Sequence, residues 1–479
     1  MNKIKTNIIY NLGYQIFILI IPLITAPYLS RILGVEGIGT YSYVSSVAYY
    51  FFLFITLGLN NYGNRCIAKC EKNKNQLGKM FCSIYTMQLL LGIIMTVIYI
   101  VYTMAFVEEE YRLFFALYIP YVVSAVIDIN WFYYGLTEFK FTTIRSIIVR
   151  IMSLVLIFVF VHDENDLTYY FIIMALSYVM SNVFLWPRMK RYIVLYKPSV
   201  QEVLIHVKPN LILFVPILAI SIYRVMDKIM IKELASVIEN GYYENADKII
   251  TMALTGFSAV ATVMMPSVAS LVAEGKDEKV KQILRDSMQI SMGLGIGIMF
   301  GLMAIGTCFA PLFFGKEYYE TGILIQLLAV TIIISGWKAV LRSQYLIPYE
   351  KDKAYVISLV AGAVVNVICN LHFIPIYAAR GAVIGTIIAE VIGFLIQTII
   401  AASDLNIFVM FKDALLFIPA GVLMYMVSKN IVVYLPSVLG MMFSIFVGII
   451  LYGFSVCFLF IICSKKRFSY MWNSYVKRK

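Results

Sequence analysis

The chain has 479 residues, of which 61% are apolar and only 14% are charged, whereas a soluble protein has about 25% charged residues. A net charge of +12 could indicate nucleic-acid binding, but the basic residues are distributed along one side of a series of apolar segments. This placement excludes a nucleic-acid partner and points to a membrane face. The function must then be transport, signalling or chemistry within a bilayer.

About fourteen apolar segments are long enough to cross a bilayer as helices, for which about 20 residues are needed. We therefore predict an all-α polytopic membrane protein. In chain order the predicted spans cover residues 8–30, 40–60, 80–106, 112–134, 142–161, 167–186, 210–231, 248–270, 287–309, 321–344, 354–373, 381–402, 413–428 and 438–463.

The connectors between these spans alternate between basic and nearly neutral. Most of the 39 lysines and arginines lie on one side, for example at 65–79, 188–208 and 465–479. The opposite side carries acidic stretches such as 108–110 and 163–166. Because basic connectors stay inside the cell, we predict a multi-pass protein of the inner (cytoplasmic) membrane with both termini in the cytoplasm.

A weak internal repeat relates the first six spans to the next six in the same orientation. Residues 39–42 are echoed by 241–244, and 68–73 by 272–277. The repeat predicts two six-helix lobes, 1–190 and 191–405, followed by two additional helices at 406–463 and a basic cytoplasmic tail at 464–479. Parallel repeats around an axis along the membrane normal suit alternating access.

Charged residues inside a span are costly and need an explanation. The seventh span contains Arg224, Asp227 and Lys228, whose spacings of three and four place them on one helical face. Arg224 lies about 21 Å into the helix at 1.5 Å per residue. Either Arg224 and Asp227 form an ion pair that satisfies itself while Lys228 reaches outward, or the cluster offers positive charge to a substrate.

Three further charges lie at comparable depths in other spans. Asp128 and Lys338 occupy similar positions in the two lobes, so they either form a ligand-sensitive pair across a cavity or make separate contacts. Glu390 in the twelfth span either carries a proton or serves as a hydrogen-bond partner between helices. We treat Asp128, Asp227 and Glu390 as candidates for ion coupling or ion pairing.

Four more arginines complete a predicted cationic cavity. Arg31 ends the first span, Arg150 lies within the fifth, and Arg65 and Arg342 lie toward the cytoplasmic side. Arg150 either lines the cavity or reaches to the interface. Guanidinium groups bind phosphate bidentately, so together with Arg224, Lys228 and Lys338 these residues predict an anionic, phosphorylated substrate. We predict no catalytic residue, metal site or cofactor.

Four motifs are distributed over nearly the whole chain. They are Leu29-Ser30-Arg31-Ile32-Leu33-Gly34 with Gly37-Ile38-Gly39, Asn61-Tyr62-Gly63-Asn64-Arg65, the segment 226–249 with Met226-Asp227-Lys228 and Gly241-Tyr242-Tyr243-Glu244, and Gly381-Ala382-Val383-Ile384-Gly385-Thr386. In their order and helix positions they resemble the motifs of Wzx-type polysaccharide flippases, the polysaccharide-transporter branch of the superfamily that includes MATE drug exporters and the lipid II flippase.

The resemblance implies export of an undecaprenyl-pyrophosphate-linked oligosaccharide repeat unit across the bacterial inner membrane for O-antigen, capsule or exopolysaccharide assembly. It also implies a V-shaped fold of two six-helix lobes plus two extra helices, with a cationic central cavity. A flippase of this kind could be coupled to a proton or sodium gradient through Asp128 or Glu390. Its expected partners are membrane lipids and polysaccharide polymerase or assembly proteins.

Two rival classes remain open. A MATE-like ion-coupled exporter of small cations would need acidic cavity residues, and Asp128 and Glu390 could supply them. A membrane glycosyltransferase or polymerase would need a His/Asp cluster, a metal-binding motif or a large outer loop. The sequence contains no such motif, and its repeat favours transport.

Overall fold

The protein is all-helical, as predicted. The computed structural model describes residues 3–70 and 73–463, and within them the backbone forms helices and short connectors without a strand. Side chains are described outside 3–19, 257–263 and 460–463. The basic tail predicted at 464–479 lies outside the described residues.

The chain separates into two compact units, Met1–Glu244 and Asn245–Lys479. The predicted domain limits remain predictions. Twelve of the described helices lie wholly in the first unit: α1 Lys3–Thr56, α2 Leu59–Lys69, α3 Lys74–Ala105, α4 Glu109–Leu117, α5 Ile119–Val126, α6 Asn130–Gly135, α7 Phe139–Phe160, α8 Leu167–Val183, α9 Trp186–Met189, α10 Val200–Leu204, α11 Val207–Ser221 and α12 Asp227–Leu234. A π-helical turn, Ile222–Met226, joins the last two.

Helix α13 begins in the first unit and continues into the second. The second unit has a π-helical turn at Arg342–Leu346. Its helices are α13 Val237–Ala273, α14 Asp277–Phe313, α15 Tyr319–Leu328, α16 Val330–Leu341, α17 Asp352–Tyr377, α18 Ala379–Ala401, α19 Ile407–Leu415, α20 Ile418–Tyr434 and α21 Val438–Cys463.

Eleven helices of the described residues are long and apolar enough to cross a membrane, or twelve if the pair Lys316–Leu328 and Val330–Leu346, bent by 43°, forms one span. The predicted number of about fourteen is not confirmed. Part of the difference has a local reason, because Ile20–Lys69 is one continuous candidate that contains the second predicted span and residues 20–30 of the first. The eighth predicted span includes 257–263, whose side chains are not described.

Helix α1 is broken at Gly34. Its 54 residues would extend roughly 80 Å at 1.5 Å per residue, far more than the ~30 Å of a bilayer core. Gly34 adopts φ 67° and ψ −178°, a conformation that is essentially restricted to glycine. The break falls between the first two predicted spans, so the two halves of α1 correspond to them.

Large apolar side chains are exposed along the helices. On α3, for example, Ile94 and Val101 are 54% and 53% exposed and lie two turns apart on one face. A soluble protein does not expose such continuous apolar faces. These faces are expected in a multi-pass membrane protein, where lipid chains cover them.

Candidate functional site

Lys228 lies in an ion pair inside the apolar region of the first unit. Its Nζ is 2.7 Å from Oε2 of Glu244, and the two side chains are only 15% and 11% exposed. The hydroxyl of Ser42 donates to the same Glu244 oxygen at 2.9 Å. The carboxylate therefore has both a cation and a neutral donor, which a buried charge requires.

Asp227, the neighbour of Lys228, is fully buried at 1% exposure. It accepts a hydrogen bond from the hydroxyl of Tyr243 at 2.7 Å. Helix α12 begins at Asp227 and α13 carries Tyr243 and Glu244, so both predicted charges of α12 contact the 241–244 motif. Lys228 is therefore held by Glu244 within the fold and does not reach outward, and whether the cluster binds a substrate remains a prediction.

The two repeat motifs of the first unit pack directly against each other. A Cβ atom added to Gly39 would lie 1.9 Å from the carbonyl oxygen of Val237, and one added to Gly241 would lie 2.1 Å from that of Val35. The offset of 202 that separates Ser42 from Glu244 also separates Gly39 from Gly241 and Val35 from Val237. The contact is therefore reciprocal, as a local twofold axis requires.

Arg224 contrasts with its neighbours because its side chain is exposed. It lies in the π-helical turn Ile222–Met226, and π turns occur frequently at functional sites. Among the described residues Arg224 forms no ion pair, whereas Lys228, four residues later, has Glu244. The guanidinium is therefore available to an anion that enters from outside the fold.

The second unit contains a similar pair. Lys338 Nζ lies 2.7 Å from Glu390 Oε2, with side chains 17% and 6% exposed. Ser335 donates to the same oxygen at 2.8 Å. Of the two interpretations of Glu390, a partner between helices matches this geometry, because α16 and α18 meet through it.

Arg342 begins the second π-helical turn, Arg342–Leu346, four residues after Lys338. It is half-buried, and its guanidinium carbon lies 6.0 Å from the ring centre of Tyr355. Each unit thus combines a paired lysine with an arginine in a π turn.

Asp128 lies where the fourth predicted span is broken, between the end of α5 at Val126 and the start of α6 at Asn130. Its Oδ1 accepts from the backbone N–H of Asn130 at 2.9 Å and from the Asn130 amide at 2.6 Å. Gln88 donates to the carbonyls of Ala125 and Asp128 at 2.7 and 2.8 Å. The polar groups exposed by the break are satisfied in this way.

Arg145 supports this break from α7. Its guanidinium donates to the Asn130 side chain at 3.0 Å and to the Ser181 carbonyl at 2.6 Å, and the side chain is buried. Asp128 therefore belongs to a polar network of its own unit, which favours the interpretation as a separate contact. A pairing of Asp128 with Lys338 remains a prediction.

The other predicted cavity cations are dispersed. Arg31 and Arg65 are exposed and Arg150 is half-buried. Arg65 lines a cavity of about 320 Å³ together with Lys69 and apolar side chains of α11. Their roles toward a substrate remain predictions.

Sequence reasoning missed most of the partners of these charges. In the sequence Ser42 and Glu244 stand out only as members of a repeat, and no pattern marks Ser335, Gln88 or Arg145 as site residues. One signal was present: a glutamine such as Gln88 within an apolar helix requires buried partners just as a charge does.

These features define a class before any relative is considered. A multi-pass helical protein with paired lysines and exposed arginines in its apolar segments has the composition of a membrane transporter. The chain belongs to the family described as "Polysaccharide biosynthesis protein", whose profile matches residues 4–272. The predicted resemblance is confirmed, and the chain is a transporter rather than an enzyme.

Curated relatives and solved structures are also similar to this chain. A "Putative O-antigen transporter" of Shigella dysenteriae is 24% identical over 379 residues, which cover 78% of this chain and 93% of the relative. The lipid II flippase MurJ in its inward closed conformation shares the fold with a TM-score of 0.74 at 15% identity, over 95% of this chain and 98% of MurJ. An inward-facing MATE family multidrug transporter matches with a TM-score of 0.57 at 15% identity, over 80% and 98%.

Proposed function

We propose that this protein flips lipid-linked oligosaccharide repeat units across the bacterial inner membrane by alternating access, and that the carrier lipid is undecaprenyl pyrophosphate. The products would feed assembly of O-antigen, capsule or exopolysaccharide. Membership of the polysaccharide biosynthesis family and similarity to an O-antigen transporter over most of both chains support this function.

The observation that carries the proposal is the exposed guanidinium of Arg224 within an apolar segment. The lysines of both units already have carboxylate partners at 2.7 Å, so they have little charge left for a substrate. Arg224 forms no ion pair within the described part of the chain. A pyrophosphate would give it one, with two parallel hydrogen bonds to phosphate oxygens.

The same contacts weigh against a MATE-like exporter of cationic compounds. Such an exporter needs carboxylates that are open to the compound. Glu390 is occupied by Lys338 and Ser335, and Asp128 is occupied by Asn130.

Coupling to a proton or sodium gradient belongs to this proposal, and Glu390 is its strongest candidate. Protonation of Glu390 would remove the charge that holds Lys338 and release a lysine at mid-membrane. A lysine released in this way would favour a state in which it meets phosphate instead.

Extraction of lipid-linked saccharides from cells with and without the gene tests the function. We expect undecaprenyl-pyrophosphate repeat units to accumulate without the gene and to be accessible to modifying reagents from the cytoplasmic leaflet. Unchanged lipid intermediates together with altered efflux of cationic compounds would overturn the proposal in favour of a MATE-like exporter. Complementation with the Arg224→Ala variant then shows whether this guanidinium carries the activity.

A further inference from the structure

A second cavity in the first unit has the features of a lipid site. It has a volume of about 570 Å³ and lies between α7 and the corner that joins α8 to α9. At about 30 Å³ per water molecule, this volume can hold a lipid headgroup. Of the charged residues that line this cavity, only Arg145 was described above, where it supports the helix break at Asp128.

Three of the four charged residues that line this cavity, Glu138, Lys140 and Arg188, lie near the start of α7. The fourth, Arg145, lies further along α7 and is buried in its bonds to Asn130 and Ser181. Glu138 and Lys140 flank the start of α7, whose N-terminal dipole adds positive potential. Ile148 lies about 12 Å beyond Lys140 along the same helix at 1.5 Å per residue.

The apolar end is open to its surroundings. Ile144, Ile148 and Phe184 line the cavity and are 40%, 52% and 50% exposed. Side chains of this kind suit an acyl chain, whereas a sugar would need hydrogen-bonding groups along the wall. The division into a basic end and an apolar end matches the division of a lipid into headgroup and tail.

The guanidinium of Arg188 is held in place at the basic end. It lies 3.2 Å from Glu138, and its carbon is 4.5 Å from the ring centre of Phe141. Stacking leaves the edge of the guanidinium plane available for a further acceptor. The side chain is 37% exposed, so an entering phosphate oxygen can reach it.

We propose that this cavity binds an anionic phospholipid of the cytoplasmic leaflet. The phosphate contacts Arg188 and Lys140, and one acyl chain lies along Ile144 and Ile148. The sidedness follows from the positive-inside prediction, which places the start of α7 at the cytoplasmic face, and anionic lipids are enriched there. The basic C-terminal tail carries the wrong charge to occupy a basic cavity.

Retention of phosphatidylglycerol against phosphatidylcholine by the purified full-length protein, measured by native mass spectrometry, tests the proposal. We expect wild type to retain phosphatidylglycerol selectively. The Lys140→Gln/Arg188→Gln variant should lose about thirtyfold of that selectivity, because each cation near a membrane surface contributes about fivefold. Lys279→Gln/Lys353→Gln removes two exposed lysines from the second unit and is the matched control, which should retain wild-type selectivity.

A second variant protects the test against misfolding. Ile148→Trp leaves every charge in place but fills the apolar end, so it should lower phospholipid retention without changing the preference for anionic headgroups.

Two outcomes would overturn the proposal. If both double variants lost the same selectivity for phosphatidylglycerol, the selectivity would come from the overall charge of the protein and not from this cavity. The proposal would also be wrong if undecaprenyl pyrophosphate, added alone, displaced phosphatidylglycerol stoichiometrically from this cavity, because the cavity would then belong to the transport substrate. Since retention is measured without transport, failure here leaves the proposed flipping untouched.

Discussion

The lysine pairs of the two units are built alike but are anchored differently. In each unit a lysine lies 2.7 Å from a glutamate, and a serine donates to the same glutamate oxygen. In the second unit all three residues lie within 55 positions, whereas in the first unit Ser42 and Glu244 are 202 positions apart. Positive charge within a span therefore does not by itself identify a substrate site.

Each unit also has an arginine close to its paired lysine. Arg224 and Arg342 each lie four residues from the paired lysine, and each lies in a π-helical turn. A π turn displaces side chains from the regular helical face. Each unit thus keeps one cation bound within the fold and places another outside the ion pair.

The largest effect is expected from breaking one lysine pair. Lys228→Met or Glu244→Gln alone should lower the free energy of unfolding by about 3–5 kcal/mol, because the remaining charge stays buried without a partner. The double variant should recover most of that loss. Unfolding in detergent, measured for the single variants and the double variant, checks this cycle.

The same unfolding measurements on Lys338→Met, Glu390→Gln and the double variant compare the pair of the second unit with that of the first. A similar pattern would establish that the two pairs are equivalent structural elements. Additive losses in either unit would contradict the view that each pair satisfies itself.

Arg224→Ala should lower the rate of repeat-unit flipping by about tenfold to a hundredfold, since a hydrogen bond to a charged group is worth about 1.5–3 kcal/mol. Membrane levels and unfolding should remain normal, because the guanidinium has no ion-pair partner in the described fold. Arg224→Lys, which keeps the charge but loses the planar fork, should recover only part of the rate. Full activity of Arg224→Ala would remove this residue from the mechanism.

A smaller loss of stability is expected at the reciprocal glycine contact. Gly39→Ala and Gly241→Ala should each lower the free energy of unfolding by about 1–3 kcal/mol or somewhat more, because the added methyl meets a carbonyl oxygen. Gly453→Ala is the control, since a Cβ there meets nothing within 4 Å. That substitution should stabilise α21 slightly. If all three variants had the same free energy of unfolding, the close packing of Gly39 and Gly241 against backbone carbonyls would be contradicted.

The smallest loss of stability is expected for an ion pair of the same N–O distance that is exposed to solvent. Lys351 lies 2.7 Å from Asp404, and the bonds from Lys351 and Tyr345 lower the pKa of Asp404 to about 2. Its stabilising contribution is complete above the unfolded pKa of about 3.9 and is lost as the pH falls toward 2. Since the pair is exposed, Asp404→Asn should cost less than about 1 kcal/mol at neutral pH. The free energy of unfolding, measured as a function of pH, gives the contribution of this pair. If Asp404→Asn lost as much stability as Lys228→Met, burial could not be what makes the Lys228 pair important.

Much of the fold was predictable because a bilayer imposes strong rules on sequence. Span length and charge placement gave the all-helical class, and the fifth span predicted at 142–161 agrees with α7 at Phe139–Phe160. The fourth span was less predictable, since it contains three short helices with a break at Asp128. A break depends on partners such as Gln88 that lie elsewhere in sequence.

The site was predictable in its charges but not in its pairs. Lys228 and Lys338 could be identified because a charge inside a span is rare. Glu244 could not, because it lies beyond the predicted end of the seventh span and resembles an ordinary connector residue. Which of two nearby cations has a partner depends on packing between distant helices, and no spacing rule records that.

The reciprocal glycine contact also bears on how such a chain arose. If 35–42 and 237–244 descend from one ancestral segment, the ancestor was a half-length chain whose two copies met through this contact. A residue on the axis of that homodimer faced its own copy, so a glutamate there would have met a second glutamate. Fusion of the two halves removed this restriction. It allowed Ser42 to face Glu244, an unlike pair that no symmetric dimer can place on its axis.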